Sequence, residues 1–221
     1  MTRSVLVMSE VNENQPLGTP TWVTLRTPDV ATAEEYYGHV FGWSFEDGTL
    51  GTLCLLRGVP VAGIEPGHGG WTVHLATDDC DATAKAVAAA GGTVTVAPHE
   101  VGDLGRAAFA TDPTGAVFGA WQPGTHTGWD AVDEPGSVVW SEVMTHDQPA
   151  ALEFYRRVYG YRAEDMSGPG FVYATVAVDG QTVAVSWWGM RSSTSGSSPP
   201  SDFRAMTAAQ PTRTPATSAI R

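Results

Sequence analysis

Residues 20 to 47, PTWVTLRTPDVATAEEYYGHVFGWSFED, run in register and without a gap with residues 138 to 165, VVWSEVMTHDQPAALEFYRRVYGYRAED. Trp22 falls on Trp140, Asp29 on Asp147, Ala33 on Ala151, Tyr37 on Tyr155, Gly42 on Gly160, and Glu46-Asp47 on Glu164-Asp165. A chain that repeats a segment of this kind builds one structural unit more than once. The period is far too long for a solenoid, so the repeat predicts two copies of one domain, each able to enclose its own pocket.

The first unit opens on the alternating run Trp22-Val23-Thr24-Leu25-Arg26, a strand, followed by Asp29 as a helix cap. Val30, Ala33, Tyr37, Val40 and Phe41 then recur at helical spacing, and Gly42 stands where a helix commonly stops. Three short strands separated by glycine-rich breaks follow, which gives the order β-α-β-β-β. The order recurs from Trp71, with a helix starting at Asp79 or Asp81, a stop at Gly91-Gly92, and a type I turn at Asp112-Pro113-Thr114-Gly115 joining the last two strands. A third unit runs from Val138 to about Trp188. The expected class is α+β: tandem βαβββ units forming paired incomplete barrels, with the last unit missing and a disordered C-terminal tail. The expected divisions are a flexible lead-in over 1–19, a complete domain over 20–122, a linker over 123–137, a half domain over 138–188 and the tail over 189–221. The tail is dominated by Ser, Thr, Pro and Ala and cannot bury enough apolar area to offset its ordering entropy.

Charge narrows the partners. A net charge of -12, with Lys85 the single lysine, disfavours nucleic acid and anionic membrane surfaces, both of which call for clustered cations. No apolar run approaches the roughly 20 residues needed to cross a bilayer, and Met1 to Pro20 lacks the hydrophobic core of a signal peptide. A cytoplasmic location is expected. Cys54 and Cys80 form no disulfide framework or thiolate spacing and read as buried thiols. No glycine-rich phosphate loop, dinucleotide fingerprint or Gly-x-Ser-x-Gly elbow is present, so no organic cofactor is expected.

The signatures WVTLRTPDVATAEEYYGHVFGW, WTVHLATDDCDATAKAVAAAGG and GRAAFATDPTGAVFGAWQP resemble the vicinal oxygen chelate superfamily, which includes glyoxalase I, bleomycin-resistance proteins and extradiol dioxygenases. The resemblance covers about residues 20 to 188 and is similar in plan to two-domain actinobacterial proteins, some of which serve antibiotic pathways, including anthracycline ones, as accessory factors to tailoring oxidations. It implies that two βαβββ units close around one pocket. It also implies, for the metal-dependent members, a His, Gln or Glu on the first strand of a unit and a Glu on the last. Here those positions fall on Trp22, Trp140, Trp71 or Thr72, and Gly119, none of which is a ligand for a divalent ion. No metal site is therefore expected.

Tryptophan in place of a donor turns an ion site into an aromatic wall. Trp22, Trp71 and Trp121 are expected around one barrel, with Trp140 and Trp187 repeating them in the half domain. His74 alternates onto the face of Thr72 and reads as a hydrogen-bonded histidine ahead of a ligand. Arg106, with Asp103, His99 and Glu100, could edge the pocket, while His39, His68, His126 and His146 read as surface residues. The function expected is a metal-independent binding or accessory protein for a hydrophobic aromatic metabolite, in polyketide antibiotic biosynthesis or self-resistance. Its expected partners are a tailoring oxygenase and a second copy in a homodimer. The alternative is a divalent-metal lyase or dioxygenase with His74 as an unorthodox ligand.

Overall fold

In the computed structural model, the described residues are 15–49, 51–169, 172–178, 180–188 and 202–207, with backbone alone over 184–188 and 202–207. Three units appear in the expected order. The first comprises β1 (Pro20–Thr27), α1 (Val30–Phe41), β2 (Ser44–Gly48), β3 (Gly51–Leu56) and β4 (Val59–Pro66). The second comprises β5 (Gly70–Ala76), α2 (Cys80–Ala89), β6 (Thr93–Glu100), β7 (Gly105–Thr111) and β8 (Val117–Pro123). The third comprises β9 (Val138–Met144), α3 (Gln148–Tyr159), β10 (Arg162–Asp165), β11 (Val172–Val178) and β12 (Gln181–Trp188).

One local device starts all three helices. Asp29, Asp79 and Asp147 accept hydrogen bonds from the backbone N–H three residues on, at 3.0, 2.9 and 3.1 Å. A threonine two residues before each, Thr27, Thr77 or Thr145, accepts from the aspartate's own N–H. Orphan N–H groups at the helix start are satisfied in this way. Gly42 and Gly160 end α1 and α3 with φ of 73° and 72°, a left-handed conformation that a side chain would strain. The caps also set the internal alignment. Trp22, Thr72 and Trp140 stand at one position of the three first strands, and Thr24, His74 and Glu142 at another.

The first two units share an eight-stranded sheet in the order β2-β3-β4-β1-β5-β8-β7-β6. β1 and β5 pair antiparallel at its centre, and each pairs parallel with the last strand of its own unit. The two halves are thus related by a pseudo-twofold axis between β1 and β5. The Asp112 turn forms as expected, its carboxylate accepting from the N–H groups of Thr114 and Ala116 while the Gly115 N–H donates to the Asp112 carbonyl at 3.0 Å.

The third unit forms a second sheet ordered β10-β11-β12-β9-β13. Its last member, β13 (Asp202–Thr207), pairs antiparallel with β9, the relation that β5 has to β1. These six residues fall within the segment read as a tail: β9 offers an open edge of backbone donors and acceptors, and a strand this short raises no period above the Ser/Thr/Pro background. The rest of 189–221 lies outside the described residues, as do residues 1–14 of the lead-in. Its end is fixed, because Gly18 donates to the Ala76 carbonyl at 2.8 Å and the Tyr161 hydroxyl donates to the Gly18 carbonyl.

One hydrophobic core runs through both sheets. On the helix-bearing face of the first sheet Val23, Val73, Ile64 and Phe118 are buried, and α3 lays Phe154, Tyr155 and Tyr159 on Phe118. Helix α1, the sequence copy of α3, buries Ala33 alone, whereas α3 buries five residues.

Candidate functional site

The opposite face of the eight-stranded sheet encloses a cavity of about 350 Å³. Period-2 alternation and register decide which side chains reach it. On β1 these are Trp22, Thr24 and Arg26; Trp22 stands opposite His74 of β5, and His74 pairs with Gly119 of β8. β7 contributes Ala107 and Phe109, and Ala107 stands opposite Trp121.

The large side chains rest on glycines. A Cβ at Gly63 would lie 3.5 Å from the Trp22 indole nitrogen, and one at Gly119 would lie 2.4 Å from His74 Nδ1. Gly63 pairs with Thr24 and Gly119 with His74, so the two glycines are partners under the pseudo-twofold. Across that axis Thr24 Oγ1 and His74 Nε2 make a hydrogen bond of 3.1 Å. His74 is 5% exposed and touches the Phe109 ring edge-on at 5.5 Å. Burial first, then the Arg26 guanidinium and His126, pull its pKa down to about 4, so it is neutral at neutral pH.

At one end the chain folds back from β8. Gly124 and Thr125 donate their backbone N–H groups to the carbonyls of Leu104 and Asp103. That return places the His126 ring between two indoles, 4.5 Å from Trp22 and 5.6 Å from Trp121. Trp121 Nε1 donates to the His126 carbonyl at 2.9 Å. At the mouth, Arg26 lies 5.1 Å from the Phe109 ring centre and 3.1 Å from Glu65.

Trp22, His74 and Trp121 are thus brought together; the remaining expected residues are not. Trp71 pairs with Leu25 on the helix-bearing face, away from the cavity, and donates to the Tyr37 hydroxyl at 2.9 Å. Arg106 also lies elsewhere. Its side chain binds Asp81 of α2 at 2.7 Å and Glu100 at 2.8 Å, and it takes no part in the cavity lining. Trp140 lines a separate cavity of about 330 Å³ with Trp129 and Val138, and the Trp187 side chain lies outside the described residues. His126 and Phe109 went unrecognised in the sequence. His126 reads as a surface residue there, because only the long-range return of the linker buries it.

The donor set does not suit the divalent ion that the vicinal oxygen chelate plan implies. The first-strand positions hold the Trp22 indole and the Thr72 hydroxyl, Gly119 has no side chain, and Glu65 is engaged by Arg26. Among the described residues no three His, Cys, Asp or Glu side chains are grouped to hold a metal. Cys54 and Cys80 are buried and unpaired, with burial raising their thiols to about 12 and about 11. No described helix is long and apolar enough to cross a membrane.

The neutral state of His74 has a consequence for stability. The unfolded chain takes up a proton on this imidazole near its ordinary value of 6.5, the folded chain only near 4. The stabilisation is fully present above pH 6.5 and is lost as pH falls toward 4, by roughly 3 kcal/mol in all. Urea unfolding at pH 7 and pH 4.5 should show His74→Gln losing less stability across that interval than the parent protein. Equal losses would place the titration elsewhere.

Residues 19–119 match the family described as Glyoxalase/Bleomycin resistance protein/Dioxygenase superfamily. A Mycobacterium bovis protein named as a candidate glyoxylase, CFP32, is 37% identical over 163 residues, 67% of this chain and 62% of that protein. The anthracycline biosynthesis protein DauV of Streptomyces sp. (strain C5) is 37% identical over 177 residues, 69% of this chain and 64% of its own. The match therefore spans less than two thirds of these relatives. Among solved structures, the Mn(II)-bound glyoxalase from Novosphingobium aromaticivorans superposes with a TM-score of 0.60 at 15% identity, covering 79% of this chain and 62% of that one. The catechol dioxygenase BphC gives 0.56 at 15% identity, over 78% and 65%. At such identities the likeness is one of fold.

Proposed function

We propose that this chain, whose residues 19–119 match the Glyoxalase/Bleomycin resistance protein/Dioxygenase superfamily, is a metal-independent binding or accessory protein for a hydrophobic aromatic metabolite of antibiotic biosynthesis. It assists a tailoring oxidation or gives self-resistance. The observation that carries this reading is the cavity wall. Trp22 occupies the place of a metal donor, and together with Trp121, Phe109 and His126 it presents flat aromatic surface to a volume of about 350 Å³. Such a volume falls at the lower end of the roughly 300–1,000 Å³ common for small-molecule sites. Aromatic faces favour planar ligands by about 0.5–1.5 kcal/mol per ring pair beyond area burial. The 37% identity to the anthracycline biosynthesis proteins DauV and DnrV supports the pathway.

In this reading the protein holds and shields a planar ligand. Any redox cofactor belongs to a partner oxygenase, and a homodimer is the working form. The experiment is a titration of a planar aromatic probe, followed by tryptophan emission, with and without a chelator and after added Mn(II) or Zn(II). The expected affinity is the same in all conditions. A chelator that abolishes binding, restored by one metal, would overturn the metal-independent reading.

A further inference from the structure

Helices α1 and α3 are copies in setting as well as in sequence. The register that lays Trp22 on Trp140 also lays Trp43 on Tyr161 and Gly18 on Gly136. Trp43 Nε1 donates to the Gly136 carbonyl at 2.7 Å, and in return the Tyr161 hydroxyl donates to the Gly18 carbonyl. Units one and three are thus exchanged by a second pseudo-twofold. On α3 the face in question is covered. Phe154 is 1% exposed, seated against Phe118 and against the end of α2, where a Cβ at Gly92 would come within 2.8 Å of its ring. On α1 the matching face is open: Tyr36, in the place of Phe154, is 59% exposed, and Val40, one turn on, is 37% exposed. Tyr37 props this surface from below, meeting Tyr36 edge-on at 5.0 Å and stacking on Phe41 at 5.9 Å. Side chains already held by neighbours lose little freedom when a partner covers them, and an apolar face left bare marks a contact site.

Resting on the homodimer of the reading above, we infer that the open face of α1 is where a second copy of this chain docks, α1 against α1 about a twofold axis. The surface that covers α3 is not free in a second copy, because its own α3 occupies it. Among the described helices, α1 alone carries large apolar side chains that are exposed, so it is the helix face a second copy has to offer. The face is also self-complementary. Tyr36 and Val40 are four residues apart, and so are the exposed Glu35 and His39 on its outer flank. An antiparallel pair centred between residues 37 and 38 sets Tyr36 of each copy on Val40 of the other. It sets the Glu35 carboxylate of each opposite the His39 imidazole of the other, a donor for that acceptor. Every contact is then made twice, as a twofold interface requires.

Sedimentation velocity of the full chain over roughly 1–100 μM tests this. The parent is expected to be a dimer at the upper end of that range. Tyr36→Glu and Val40→Glu change exposed positions and should leave the melting curve in place, while each weakens the dimer about tenfold or more. In a mixture of Glu35→Cys and His39→Cys proteins, oxidation should join unlike chains ahead of like ones; Cys54 and Cys80 are buried and stay out of the reaction. A dimer that keeps its strength in both glutamate variants, or that cross-links like chains as fast as unlike ones, overturns the assignment and leaves the homodimer standing. A parent that stays monomeric throughout overturns the homodimer and this assignment together, and leaves the aromatic-ligand reading intact.

Discussion

Phe118→Ala is expected to lower the stability of the protein by about 3–5 kcal/mol, the cost of truncating a fully buried aromatic ring that the surroundings cannot refill. Phe118 is 0% exposed and sits on the helix-bearing face of β8. Its ring lies 5.9 Å from Phe154, 5.8 Å from Tyr155 and 6.3 Å from Tyr159, all edge-to-face, so one side chain of the first domain meets three from α3. Such pairs contribute about 0.5–1.5 kcal/mol each beyond area burial. Because the ring joins the third unit to the first sheet, its loss should also lower the cooperativity of urea unfolding, separating a transition of the second sheet from that of the first. A loss below about 1 kcal/mol, the range of a site that repacks without a cavity, with one sharp transition kept, would mean that α3 is not seated on β8.

Trp22→Ala is expected to weaken binding of a planar ligand by about 10- to 100-fold, as truncation of an indole at the centre of a desolvated contact commonly does. Two surfaces go at once. The indole face over Gly63 disappears, and His126 loses its edge-to-face neighbour at 4.5 Å and with it the restraint that holds the linker against the cavity. Since Trp22 is itself buried, the milder Trp22→Phe separates binding from folding. It keeps an aromatic face and should keep the melting temperature within a few degrees, while affinity still falls several-fold. Calorimetric titration of the three proteins checks both statements; wild-type affinity in Trp22→Ala would remove the wall from the binding site.

The repeated unit, its strand order and its helix starts could be read from the sequence because each has a local physical signature: an aspartate cap, a glycine stop, an Asp-Pro-x-Gly turn. Which face a strand presents was harder to read. In Trp71-Thr72-Val73-His74-Leu75 both faces of β5 are covered, one by helices and core and the other by the cavity, so alternation carries no inside-outside contrast. The backbone register separates Trp71 from His74, placing the first against Tyr37 and the second beside Thr24. His126 and β13 were illegible for a different reason. Each owes its place to partners distant in the chain, the 103–104 carbonyls for one and the edge of β9 for the other, and neither carries a periodic pattern of its own. The copies α1 and α3, aligned without a gap and sharing Ala, Glu, Tyr and Val at matched positions, make a related point about energetics: the first buries one residue and the other five.

The central claim, an aromatic-walled cavity that binds an organic ligand without a metal, is tested most directly by native mass spectrometry of the protein purified from the cells that make it. The expected spectrum shows a stoichiometric organic adduct of a few hundred daltons, no bound divalent metal, and loss of the adduct in Trp22→Ala. A stoichiometric divalent metal whose removal by chelation releases the adduct would contradict the claim and make the cavity a metal centre.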